Sequence, residues 1–520
     1  MCIRDSLNIL VDCGMEQGND VYENQELPVV ASDVDCILLT HAHIDHSGLI
    51  PLMYVNGFRG QVYSTSATAQ LCEIMLRDSA HIQMFEAEWR NRKAARSGGK
   101  LKEFVPLYDM DAAVNVCKQF VGCEYDKIYN IADGIKIRFT DVGHLLGSAS
   151  IEVWATEKTE NGDVTEKIVF SGDIGNINKP IIKDPKHVTD ADYVVMESTY
   201  GNRSHGGTPN YVEDLTNIFK RTFERGGNVV IPSFAVGRTQ ELLYIIRKIK
   251  EDNLVGRDFD VYMDSPLAIE ATNIFIKNVE SCFDDEAVEL VRKGINPLSF
   301  PGLKYATTGD ESKQINFDPN PKVIISSSGM CEAGRIRHHL KHNLWRPECT
   351  IVFVGYQAVG TTGRIIVDGA EEIKLFGEPI QIKAEIVQLK GSSGHADKDG
   401  LLCWINAFDT KPKKVFVVHG EDSVCDEFTE CLKEEYGYDA MAPYTGGSYD
   451  LIADRVISEG VKERKTRRTT STQRGKTVFD RLVAAGKRLM TVITHNEGGT
   501  NKDLAKFTDQ INALCDKWDR

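Results

Sequence analysis

Six consecutive residues, His41-Ala42-His43-Ile44-Asp45-His46, place three imidazoles and one carboxylate directly after the apolar run Val34–Thr40. Imidazole nitrogen and carboxylate oxygen suit Zn²⁺. Four ionisable groups this close are costly to bury unless a metal satisfies them. One short loop cannot wrap an ion alone, so further ligands must come from elsewhere. Three other β-rich runs end in a candidate: His144 after IKIRFTDVG, Asp173 after KIVFSG and His419 after KVFVV. Strand ends converging on one sheet edge can assemble a site that no single strand holds.

The elements that position these groups are legible as alternating patterns. Short β-rich runs at 35–40, 167–173, 192–198, 228–233, 322–328, 349–355 and 413–420 are separated by helical stretches. That alternation predicts a parallel or mixed sheet buried under helices. Between 202 and 383 it becomes regular (strand, Gly/Ser turn, helix) and reads as a doubly wound α/β unit. Residues 73–105 read as a charged helical hairpin broken at Ser97-Gly98-Gly99, with His81 packing or capping at its start. Residues 155–167 read as a polar turn between two strands. After about residue 446 the composition shifts. Lys462–Lys476 carries seven Lys or Arg against one Glu, a flexible basic linker, and a helical tail follows from Val478.

At 520 residues the chain has room for two to four domains, taking about 150 residues per domain. Its net charge of −15 and 42% apolar content fit a globular protein and argue against a uniformly basic nucleic-acid glove. Thirteen scattered cysteines with no CxxC favour a reducing compartment over a disulfide framework. No run reaches the ~20 apolar residues of a membrane span. The opening Met1–Ser6 has neither a basic nor an apolar region of a secretory signal, and strand-like sequence begins at Leu7. A truncated native start is expected.

Three later motifs narrow the reading: Glu197 in MESTYG, His395 in SSGHAD and His419 in VVHGE, in that order after the HxHxDH cluster. With them, roughly residues 7–445 resemble the metallo-β-lactamase fold and, within it, the β-CASP ribonucleases, which include the RNA 3′-end processing endonuclease and its bacterial and archaeal relatives. The resemblance implies an α/β chain: a metallo-β-lactamase αββα sandwich with an inserted doubly wound α/β β-CASP domain. The corresponding spans are 1–201 and 384–445 for the two parts of the sandwich, 202–383 for the insert, and 446–520 for the basic linker and helical tail. The hairpin that normally opens this fold is represented here by one short strand before Asp12.

The resemblance also implies two Zn²⁺ ions. His41, His43 and His144 would hold one, and Asp45, His46 and His419 the other, with Asp173 between them. Two such ions share a hydroxide nucleophile and clamp the phosphate oxygens. The catalytic candidates are Asp45, His395 and Glu197, with His395 as general acid to the leaving 3′-oxygen and Glu197 orienting it. Asp12 in VDCG supports the metal loop. RNA phosphate contacts fall on Ser327, Ser328 and Gly329, on Arg364 in GYQAVGTTGR and on Ser393, although tight βα turns alone account for the same glycines. Arg335, Arg337 and Lys341 form either a solvated basic face or an RNA-binding one, with His338, His339 and His342 at the surface. PSFAVGRTQ lacks the GK[ST] of a P-loop, and Cys331 and Cys349 have no base nearby in sequence.

The implied activity is zinc-dependent hydrolysis of RNA phosphodiester bonds, endonucleolytic on single strands, in the cytoplasm, with RNA as partner and no membrane. A homodimer stays open. The alternatives are a 5′-to-3′ exoribonuclease of the ribonuclease J type and a non-catalytic RNA-processing scaffold. All seven ligand positions and both acid-pair positions are filled, which weighs against the scaffold.

Overall fold

The structure is a computed structural model that describes residues 7–16, 27, 29–96, 104–159, 162–206, 210–389, 393–462, 478–496 and 500–518. Two sheets face each other at its centre. A four-stranded parallel sheet runs in the order Ile9–Val11, Cys36–Leu38, Gln61–Thr65, Phe120–Cys123. A seven-stranded mixed sheet runs Ala440–Met441, Lys414–Val418, Tyr193–Glu197, Gly162–Phe170, Ala149–Thr159, Ile135–Asp141, Tyr129–Ala132. Leu38 and Cys36 from the first sheet and Phe139, Ile151 and Val153 from the second share one apolar layer between them. Helices Ser66–Arg96 and Met110–Cys117 cover the outer face of the first sheet, and Lys398–Ile405 and Asp422–Glu434 that of the second. The layers are therefore αββα, as the family resemblance implies.

The insert is a six-stranded parallel sheet in the order Leu303–Tyr305, Asp260–Asp264, Lys322–Ser326, Val229–Pro232, Thr350–Val354, Glu385–Leu389. Its central strands are buried along their whole length, as continuous apolar runs must be when helices cover both faces. Helix Tyr211–Glu224 starts where the Asn210 side chain accepts the Glu213 amide at 3.3 Å, and it buries Leu215, Ile218, Phe219 and Phe223. The last strand pairs residue for residue with Thr350–Val354, so the insert's sheet extends to Leu389, past the expected boundary at 383.

Three expectations change, and a fourth lies outside the described residues. Among its described residues, the stretch read as a helical hairpin holds one helix, Ser66–Arg96, with exposed His81 in its interior. Its predicted break lies outside the described residues. Phe104, where the described chain resumes, is outside a helix and bracketed by Asn91, which accepts its amide at 2.8 Å and donates to its carbonyl at 2.9 Å. Residues 155–167 are mostly strand, with Ala155 paired to Glu166 and Thr159 to Gly162. The helix Ile336–Asn343 is not a free basic face. His339 is fully buried and shares Asp264 with Arg335, at 2.6 and 2.7 Å. Finally, Lys462 is described but the rest of the basic run Lys462–Lys476 lies outside the described residues.

Candidate metal centre

The cluster forms where strand ends of both sandwich sheets meet. Strand Cys36–Leu38 delivers His41 and His43, and the short helix Ile44–Ser47 carries Asp45 and His46. This loop folds tightly onto the VDCG segment: a Cβ on Gly14 would lie 1.4 Å from the Asp45 carbonyl oxygen, so only glycine permits the approach. Asp12 and His419 take positive φ, +56° and +51°, a conformation of order 1–3 kcal/mol above the common ones that surrounding contacts must offset.

All seven predicted ligands converge. Asp173, 1% exposed, sits at the centre. Its Oδ2 faces His41 Nε2 at 3.4 Å and His144 Nε2 at 3.5 Å. Its Oδ1 faces His46 Nε2 at 3.2 Å and His419 Nε2 at 3.3 Å. His43 Nδ1 lies 3.0 Å from His41 Nε2 and 3.2 Å from His144 Nε2. The donor atoms of His41, His43, His144 and Asp173 fall within 4.8 Å of one another, and so do those of Asp45, His46 and His419.

Second partners fix which ring nitrogen faces inward. Thr40 Oγ1 lies 3.1 Å from His41 Nδ1, Asp12 Oδ2 2.7 Å from His46 Nδ1, and the Gly394 carbonyl 3.2 Å from His144 Nδ1. Each leaves Nε2 directed at Asp173, as ligand imidazoles require. Asp12 also accepts the Thr40 amide and hydroxyl, both at 2.8 Å, tying the strand end to the loop. Burial and the neighbouring His41 push His43 down to about 3. Burial likewise lowers His41 and His144. Three neutral imidazoles around one point are ligands in waiting. The buried atoms His46 Nε2 and Asp173 Oδ1 face each other at 3.2 Å without the geometry of a hydrogen bond. Orphaned lone pairs in a dry cluster are the state that a bound cation relieves, so the residues fit a metal.

Glu197 and His395 stand beside this group. Glu197 ends strand Tyr193–Glu197 and is 1% exposed. Its Oε1 accepts the Ile174 amide and its Oε2 the Thr199 amide at 3.3 Å. Both oxygens face His395 Nδ1, at 3.4 and 3.2 Å. Burial opposes a charge on His395, but the carboxylates of Glu197 and Asp173 outweigh it and hold the pKa at about 9. The side chain is 22% exposed, which leaves the ring open on one side. The donor atoms of Asp173, Glu197 and His395 are also close enough to share an ion.

The remaining candidates are more spread out. Ser327 Oγ donates to Ser265 Oγ at 3.0 Å, and Ser328 Oγ to the Ala333 carbonyl at 3.3 Å. Arg364 Nε pairs with Asp368 at 2.8 Å, and Ser393 Oγ accepts the His395 amide at 3.1 Å. Cys331 is buried, and burial pushes its thiol up. Two residues escaped the sequence reading. His205 Nε2 lies 3.2 Å from the His395 carbonyl, and Lys179 Nζ donates to the His144 carbonyl at 2.9 Å. Neither sits in a recognisable motif. Among the described residues no helix is long and apolar enough to cross a membrane.

Comparison with known proteins agrees with this geometry. Residues 3–177 match the metallo-beta-lactamase superfamily domain, 239–366 the Beta-Casp domain and 379–443 the Zn-dependent metallo-hydrolase RNA specificity domain. The chain is 34% identical to Ribonuclease TTHA0252 of Thermus thermophilus over 415 residues, 80% of this chain and 88% of that protein. It belongs to the β-CASP ribonuclease family. Other β-CASP relatives include Transcription termination factor FttA of Methanosarcina mazei, 31% identical over 84% of this chain and 66% of that protein. An RNase J-like protein of Methanocaldococcus jannaschii is 31% identical over 79% and 87%. The β-CASP chain is thus a member of a zinc-dependent metallo-hydrolase family, with His395 and His419 inside the segment matched as RNA specificity domain.

Proposed function

We propose that this protein is a ribonuclease that cuts single-stranded RNA internally, with two zinc ions on the two sides of Asp173. The observation that carries the reading is the division of one buried carboxylate, Oδ2 toward His41 and His144 and Oδ1 toward His46 and His419. His41, His43 and His144 would hold one ion, and Asp45, His46 and His419 the other. When bound, the ions supply Lewis acidity that lowers the pKa of an attacking water and offsets charge on the phosphate.

The chain's own residues do the rest. Asp12, Thr40 and the Gly394 carbonyl hold the imidazole tautomers. His395, charged at neutral pH, donates its Nδ1 proton toward Glu197 and keeps the Nε2 proton for the departing 3′-oxygen. Glu197, pinned by the Ile174 and Thr199 amides, orients that ring. In this reading the Ser327–Gly329 turn, Arg364 and Ser393 contact the RNA backbone once they exchange their internal partners. The similarity to an RNase J-like protein favours one rival, removal of nucleotides from the 5′ end.

Incubating zinc-loaded protein with RNAs labelled at either end separates the readings. Internal fragments from both labels support endonucleolytic cleavage. Mononucleotides from the 5′ label alone support the exonuclease. Intact RNA with zinc bound leaves the scaffold.

A further inference from the structure

His144 is tied to the inserted domain by charge. Lys179, on the sandwich side, donates from Nζ to the His144 carbonyl at 2.9 Å. The same Nζ lies 3.4 Å from Glu241 Oε1 on the insert's helix Arg238–Glu251. Glu241 Oε2 in turn accepts from Arg238 Nη1 at 2.5 Å. The side chains of Lys179 and Glu241 are only 11% and 10% exposed. This network borders a cavity of about 430 Å³ between the domains, walled also by Ser393 and Trp404. Beside it, Leu145 packs against the insert's loop: a Cβ on Gly237 would lie 3.2 Å from Leu145 Cδ1. The loop of His395 closes the third side, since the Gly394 carbonyl meets His144 Nδ1.

We propose that Lys179 and Glu241 form an interdomain clasp that positions His144 as a ligand, so that metal retention depends on the seating of the inserted domain. The inference rests on the proposed metal centre and goes beyond it. Two long side chains are held with little solvent around them, and the ammonium spends one of its three protons on the backbone of a ligand residue. A partner that fixes a ligand from outside the coordination shell typically tunes metal affinity about 10–100-fold. Glu241 acts on His144 only through Lys179, so the two are positioning residues in series. Reciprocally, a metal at His144 strengthens the clasp.

The test is zinc competition against a chelator on the full-length protein, read as affinity for each zinc equivalent alongside Tm. Lys179→Met should weaken one equivalent about 10–100-fold and spare the other. Lys179→Arg, which keeps the donor and the charge, should return it to within a few-fold of wild type. Glu241→Gln should weaken the same equivalent, and the double variant should be no worse than Lys179→Met alone. Glu241→Gln, being isosteric, keeps the question answerable if Lys179→Met folds poorly. A Lys179→Met protein that holds both equivalents as wild type does, or that loses Tm with unchanged zinc competition, overturns the clasp. A wild-type protein that takes up no zinc instead overturns the metal centre beneath it.

Discussion

Removing the imidazole of His395 should cost activity without costing metal. The Glu197 carboxylate 3.2 Å from Nδ1 favours the charged ring, so the general-acid contribution is lost on His395→Ala. That contribution is about 10²–10⁴-fold, or roughly 3–5 kcal/mol of transition-state stabilisation. Glu197→Gln should be milder for the chemistry and harder on the fold. Both Glu197 oxygens accept backbone amides, and glutamine has one acceptor, so one buried N–H must face an NH₂ group. A buried donor left unpaired costs about 1–3 kcal/mol, which urea denaturation would register. The kinetic assay compares RNA with bis-p-nitrophenyl phosphate, whose leaving group departs without a proton. His395→Ala should lose most of its rate on RNA, little on the activated ester, and none of its zinc. Equal loss on both substrates, or zinc-depleted protein, would refute the acid assignment and favour His395 as a ligand alongside Asp173 and Glu197.

The two-sided role of Asp173 predicts that Asp173→Ala loses zinc from both positions while His419→Ala loses about one equivalent, checked by elemental analysis of purified variants. Burial raises Asp141 from 3.8 to about 7. Between those values the folded protein keeps a proton that the unfolded chain releases, so stability falls as pH rises, by about 4 kcal/mol in total. Asp141→Asn should retain the Gly143 amide contact, 3.0 Å in wild type, and gain on wild type in urea denaturation at pH 8 relative to pH 5. An equal difference at both pH values would count against it. Deleting 462–476, with its seven cationic residues, should weaken RNA binding and flatten its salt dependence while sparing the rate at saturating RNA. An unchanged salt slope would make the segment a plain linker.

The candidate metal ligands were readable because the runs that carry them follow short apolar strands, and a strand end is a fixed point in a sheet. The insert was readable for the same reason, since fully buried parallel strands leave continuous apolar runs such as Val229–Pro232. Contacts made through backbone carbonyls left no trace in sequence: Lys179 reaches His144 across 35 positions, and Gly394 reaches it across 250. His339 was misread because a buried imidazole looks basic until its partner is known, and Asp264 lies 75 residues earlier. The stretch 155–167 was misread because its two strands outrun their neighbours. Past Ala155 and Glu166 their ladder is with each other, apart from the Thr156 amide on the Gly134 carbonyl, so water reaches both faces and no apolar alternation marks them as strand.

In the proposed centre one buried carboxylate, that of Asp173, separates two metal positions. Anomalous diffraction at the zinc edge, from crystals of zinc-loaded protein, tests it directly. Two peaks are expected, one about 2.0–2.1 Å from nitrogens of His41, His43 and His144 and the other from nitrogens of His46 and His419, each also in reach of Asp173. A single peak in active protein, or one held by Asp173, Glu197 and His395, would contradict it.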